Sequence, residues 1–255
     1  MSSVSTAALA VAVADAGGVG SITALGMTAA QVDDLLAGMA ARKAGVLAAN
    51  FLTGGIDPEA VAAADAGCDV VAVQGTEAGG HVRGHSELRP LLESVLGRVE
   101  VPVLAAGGIG DAAAFAAVLA AGADGARAGT RFVAAAESGA HPEYKAAVAD
   151  AAAGSTEITG AFSVCPLCAT SPRARVLRSC VDALRDLDDE TVGETRAGGQ
   201  RITLPRGHGL PPGTAATGHI DAMAMYAGES AASITAVEPA ARIIAAWAAA
   251  AERSG

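Results

Sequence analysis

The chain has 255 residues, room for one large α/β domain or for one domain with an appendage. Its formal charge of −10 argues against nucleic acid and anionic membrane as partners. Its 51% hydrophobic content is inflated by alanine and holds only 3% aromatics, which favours many slender helices; no apolar stretch is rich enough in large residues to span a bilayer.

The first part of the chain alternates regularly. A helix over 6–16 precedes a strand over 19–22. Residues 7–14 superficially resemble a signal h-region, but no Lys or Arg precedes them and Asp15-Ala16-Gly17-Gly18 reads as the end of a helix leading to a strand, so a reduced, cytoplasmic chain is expected. A helix over 29–41, with Thr28 as its N-cap, precedes a strand over 45–51. A helix over 58–66, with Pro58 in its first turn, precedes a strand over 69–74. Helices over 88–96 and 111–121 precede strands over 101–105 and 125–129. Such alternation is the pattern of βα units on a parallel sheet. After Phe132 the pattern loosens. Helix is expected over 141–152, extended chain over 157–163, a helix within 171–187, a Gly/Pro-rich loop region over 191–218, and helices over 222–225 and 239–253. The expected organisation is a barrel region over 1–133 that carries the site, with 134–255 forming helices and a loop-rich lid or subdomain packed on it.

The chemistry concentrates at strand ends. Val70-Val71-Ala72-Val73 runs into Gln74-Gly75-Thr76-Glu77-Ala78-Gly79-Gly80-His81. Two glycines permit close backbone approach, and the histidine that follows titrates nearest neutrality, so this loop is suited to proton transfer; a tight turn whose histidine merely caps a helix is the bland alternative. Val101 to Ala106 leads into Gly107-Gly108-Ile109-Gly110-Asp111 and then an Ala-rich helix. Strand, glycine loop and helix N-terminus together make an anion site. A short strand then reaches Gly129-Thr130-Arg131-Phe132, whose glycine, hydroxyl and guanidinium could complete a phosphate clamp. Phosphate sites on the loops after the last two strands recur in (β/α)8 barrels.

These segments, with Asp15 to Ile22 and Tyr226-Ala227-Gly228-Glu229-Ser230, resemble the nitronate monooxygenase (2-nitropropane dioxygenase-like) flavoproteins. The resemblance implies an FMN-dependent TIM barrel, with His81 as the catalytic base beside the flavin. It implies FMN contacts from Gly80, Gly107, Gly108, Gly129, Thr130 and Arg131, and from Gln74 toward the flavin ring. The implied reaction is oxidation of alkyl nitronates by dioxygen. Alternatives are a related FMN-dependent enoyl-[acyl-carrier-protein] reductase, which shares the GGH loop, and an inactive remnant with a binding or assembly role.

The chain departs from that family's pattern. Five strands are clear, where the family has eight. The opening Ala-Pro-Met strand is expected to be absent, and two βα units are expected to be missing near residues 51–61, which makes the barrel incomplete. Segments 157–163 and 201–204 are the alternative source of replacement strands. Open strand edges favour self-association.

Other chemistry-bearing residues are weaker candidates. Cys165 and Cys168 have CxxC spacing, but no second pair completes a metal site, so reduced loop cysteines are expected there and no metal is expected. His85 and Arg83 read as solvated. His208 and His219 bracket a loop suited to a lid. Glu77 could orient His81 or pair with Arg83.

Overall fold

A computed structural model describes residues 4–23, 47–50, 70–164, 172–197 and 199–254. The expected helices over 29–41 and 58–66, the residues around the 51–61 join, and Cys68, Cys165 and Cys168 lie outside the described residues.

Helix α1 (Ala7–Asp15) is capped by Thr6, whose Oγ1 accepts from Leu9 N at 3.1 Å. Strand β1 (Gly20–Thr23) follows so closely that a Cβ on Gly20 would overlap the Ala10 carbonyl. It pairs in parallel with β2 (Leu47–Asn50). A second parallel sheet, ordered β3-β5-β6, is formed by β3 (Val71–Gln74), β5 (Val103–Ala106) and β6 (Gly125–Arg127). Among the described residues, five strands are thus paired in parallel.

Between β3 and β5 lie the two-residue β4 (Gly80–His81) and helix α2 (Leu88–Leu96). Helix α2 buries Leu88, Leu92 and Val95, a single stripe at helical spacing. Helix α3 (Ala112–Ala120) is capped by Asp111, whose Oδ1 accepts from Ala114 N at 2.8 Å. After the one-turn α4 (Thr130–Val133), helix α5 (Pro142–Ala149) starts on His141, whose Nδ1 accepts from Glu143 N.

The C-terminal half contains strands that the sequence pattern did not show. Residues 171–187, expected to hold a helix, do so in α6 (Arg178–Asp186), which a strand, β8 (Ala174–Leu177), precedes. The strand forms because tertiary pairing outweighs local propensity: β8 is sandwiched between β4 and β7 (Thr156–Thr159) in an antiparallel sheet ordered β4-β8-β7. The expected loop over 191–218 contains a hairpin of β9 (Thr191–Ala197) and β10 (Gln200–Pro205), with β11 (Thr217–Gly218) on the other edge of β9. β10 is exposed except at Leu204, so no inside–outside alternation marked it. Segments 157–163 and 201–204 do supply strands, but in these antiparallel sheets and not in the parallel ones. The expected helix over 222–225 is instead a 3₁₀ turn at Ile220–Ala222 followed by extended chain, with Met225 O accepting from Leu177 N.

The last helix, α7 (Ala240–Ser254), closes the molecule back onto its first half. Its Ala240, Ile243 and Trp247 join Leu9, Val71, Leu92 and Val103 in one apolar core. Trp247 stacks on Phe115 at 5.1 Å and meets Phe132 edge-on at 6.0 Å. A second core, around Tyr144, Val176, Leu177 and Met223, lies beneath the antiparallel elements. Among the described residues, no helix is long and apolar enough to cross a membrane.

Candidate active site

Four loop segments converge at the C-terminal ends of β3, β5 and β6, the end of a parallel sheet where ligands bind. The first leaves β3 at Gln74. Gly75 donates to Ala106 O at 3.0 Å and lies against Leu88 N so tightly that a Cβ would overlap it. Gly79 packs on the next segment from the C-terminal half, where a Cβ would come within 2.5 Å of Gly228 N. Gly80 has φ +86°, a conformation that favours glycine, and its would-be Cβ faces open space.

His81 follows, held from both sides. β4 pairs Gly80 with Arg175 and His81 with Ala174. Gln74 Nε2 donates to His81 O at 2.9 Å, so this side chain braces the loop that carries the histidine. The imidazole lies 5.8 Å from the Tyr226 ring, tilted by 37°, with its outer edge exposed. Burial of its inner face lowers its pKa, and the positive charge of Arg83 adds to the effect. Glu77 neither orients the histidine nor pairs with Arg83. Its carboxylate accepts from Leu88 N at 2.8 and 3.0 Å and caps α2. His85 is exposed and meets Arg173 at 3.2 Å.

The second segment is Gly107 to Gly110, with φ of +115° at Gly107 and +71° at Gly108. The third is Gly129 to Arg131. Among the described residues, the backbone N–H groups of Gly107, Gly108, Ile109 and Gly110, and those of Gly129, Thr130 and Arg131, donate to no protein acceptor. Two such rows of unpaired donors at strand ends fit a phosphate. The side chains of the third segment face inward. Thr130 Oγ1 is buried and accepts from Gly228 N at 2.9 Å. Arg131 is buried, and its guanidinium bonds the carbonyls of Ala236 (2.9 Å) and Ala134 (3.3 Å) and lies 3.7 Å from Glu238. Nη2 of the expected guanidinium clamp is therefore bonded within the protein, while its buried Nε has no hydrogen-bond partner among the described residues. A cleft of about 250 Å³ opens beside Gly107 and Gly108, between α2 and α3, lined by Leu88, Leu92, Ile109 and Val118; His81 does not line it.

The fourth segment, Tyr226 to Ser233, stitches the others together. Gly228 N reaches Thr130, Glu229 N donates to Glu77 O at 2.9 Å, and a Cβ on Gly110 would collide with Ser230 and Ser233. Tyr226 accepts from Tyr144 Oη at 2.5 Å and donates to Gly209 O at 2.7 Å, which ties it to the loop expected to act as a lid. Reasoning from sequence singled out this segment but assigned no role to Tyr226. It missed Arg175 altogether, because its strand is defined by pairing with segments distant in sequence.

His208 and His219 have partners of their own. His208 is half-buried, its Nδ1 accepts from Leu210 N, and burial lowers its pKa. His219 forms an exposed pair with Asp189 at 2.9 Å. Cys180 is buried, its thiol pushed up to about 12 by desolvation. No group of three metal-ligating side chains occurs among the described residues.

A family model described as nitronate monooxygenase matches residues 37–249. A probable nitronate monooxygenase of Staphylococcus saprophyticus is 32% identical over 142 residues, a stretch that is 52% of this chain and 38% of that protein. The chain thus spans well under half the length of this curated relative. Of solved structures, FabK from Thermotoga maritima superposes with a TM-score of 0.74 at 24% identity, over 100% of this chain and 91% of that one, a likeness of fold. Nitroalkane oxidase from Streptomyces ansochromogenes gives 0.66 at 26% identity, over 99% and 93%.

Proposed function

The chain belongs to the nitronate monooxygenase family, a family of oxidoreductases, and from that premise we propose that it is a flavoprotein that binds FMN and oxidises alkyl nitronates with dioxygen. The observation that carries this reading is the convergence of His81 with two rows of unpaired backbone donors at the ends of parallel strands. The N–H groups of Gly107, Gly108, Gly129, Thr130 and Arg131 hold the FMN phosphate. Gly80 leaves room for the cofactor, and Gln74 stands at the strand end beside it. FMN, when bound, supplies the redox chemistry.

The protein's own contribution is positional and acid–base. The neutral imidazole of His81 takes the α-proton of a nitroalkane and leaves a nitronate anion and an imidazolium; its lowered pKa keeps the base in its working form near neutrality. We read the five parallel strands among the described residues as part of a (β/α)8-type barrel, with 1–133 supplying the glycines and the base and 134–255 packed on it to brace them. We read the working protein as cytoplasmic and self-associating.

The test is the absorption spectrum of the purified protein, identification of the released cofactor, and dioxygen uptake with an alkyl nitronate. Stoichiometric FMN and nitronate-dependent uptake are expected. Replacing His81 by Ala is expected to leave FMN in place and to lower nitroalkane turnover by about 10²–10⁴-fold; unchanged turnover defeats the assignment. A second reading, an FMN-dependent enoyl-[acyl-carrier-protein] reductase, rests on the GGH loop and is marked by NAD(P)H oxidation coupled to an enoyl thioester. Failure to take up FMN under reconstitution would leave a binding or assembly protein.

A further inference from the structure

The geometry points to Arg175 as the residue that positions His81, an inference that rests on the proposed role of that histidine. Arg175 belongs to β8, and its backbone is paired with Gly80, the residue before His81. Its side chain is only 11% exposed and reaches three acceptors in three directions. Nε donates to Thr76 O at 2.8 Å, Nη1 to Thr156 Oγ1 at 3.2 Å, and Nη2 pairs with Glu229 Oε1 at 3.0 Å.

One residue therefore grips the histidine loop at both ends, at Thr76 through its side chain and at Gly80 through the strand ladder. Between those grips the loop is pinned by Glu229 N on Glu77 O, and Glu229 is itself fixed by Arg175. The histidine leaves the second grip with its carbonyl held by Gln74. The arrangement needs a planar fork: a lysine has one compact ammonium and cannot meet three divergent acceptors from the same backbone position. Arg175 touches no reacting atom in this scheme and acts through His81.

Wild type, Arg175→Lys, His81→Ala and the double variant form a cycle, read by nitronate or nitroalkane kcat and by the imidazole Cε1–H NMR signal that His81→Ala removes. Arg175→Lys is expected to move that signal, keep FMN content, and lower kcat by about 10- to 100-fold. In the His81→Ala background the same change is expected to cost less than about twofold, since the two act as a unit. An unmoved His81 signal, or losses that multiply in the double variant, overturns the inference. Glu229→Gln, at an exposed carboxylate, is expected to move the signal in the same direction by less, and carries the test if Arg175→Lys does not fold. A wild type with no nitronate turnover would sink the proposed function, yet a moved His81 signal in Arg175→Lys would still support the positioning role.

Discussion

At the scale of single residues, environment decides which groups can do chemistry. His81 and His208 both have pKa values lowered from 6.5 by burial, so each keeps its neutral form in the folded chain to lower pH than when unfolded. For catalysis, the acid limb of kcat/KM for a nitroalkane is expected below pH 6.5 and is expected to vanish in His81→Ala; a limb at or above 6.5 would contradict the burial of the imidazole face. For stability the sign is the same. Below 6.5 the unfolded chain binds protons that the folded chain refuses, so stability falls as pH drops through that value. Cys180 shows the opposite case. Its thiol, buried and donating to Leu177 O, is held up to about 12 and stays protonated and inert. A thiol reagent at pH 8 is expected to spare Cys180 in the native protein and to modify it in denaturant, as read by peptide mass mapping.

Secondary-structure elements were legible in the sequence where their own side chains carried the signal. Leu88, Leu92 and Val95 recur at helical spacing and face one core, so α2 could be read directly. Asp111 ahead of an alanine run marked α3 in the same way. β8 could not be read, because Ala174-Arg175-Val176-Leu177 runs without a break into a helix and becomes a strand only through partners distant in sequence. The site divides along the same line. Its glycines and His81 stand out locally, whereas the Arg175 fork, the Tyr226 ring and the inward turn of Arg131 depend on contacts between segments far apart in the chain. The glycine contacts give an element-scale prediction. A methyl at Gly79 would approach Gly228 N to 2.5 Å, so Gly79→Ala must separate the histidine loop from the C-terminal segment. Loss of FMN with a lowered Tm is expected, while Asp111→Ala, a lost cap remote from that contact, is expected to cost about 1 kcal/mol and to retain FMN.

For the whole molecule, the decisive features are how α7 closes it and how its charge meets the cofactor. Trp247 is the only tryptophan of the chain and joins α7 to Phe115 and Phe132, which follow the two candidate phosphate loops. Trp247→Ala is expected to cost about 3–5 kcal/mol in denaturant unfolding, and Trp247→Phe much less. Charge acts over a longer range. The candidate phosphate site consists of neutral N–H groups, with the Arg131 guanidinium turned inward, whereas the chain as a whole carries −10. An FMN dianion is therefore repelled at a distance and captured only at contact. Raising salt from 0.01 to 0.15 M shortens the screening length from about 30 to about 8 Å and weakens that repulsion. Stopped-flow association of FMN with the apoprotein is expected to quicken over this range, and riboflavin, which lacks the phosphate, is expected to bind more weakly with a rate insensitive to salt. Slower FMN association with added salt would mean that a cationic side chain, and not the backbone, holds the phosphate.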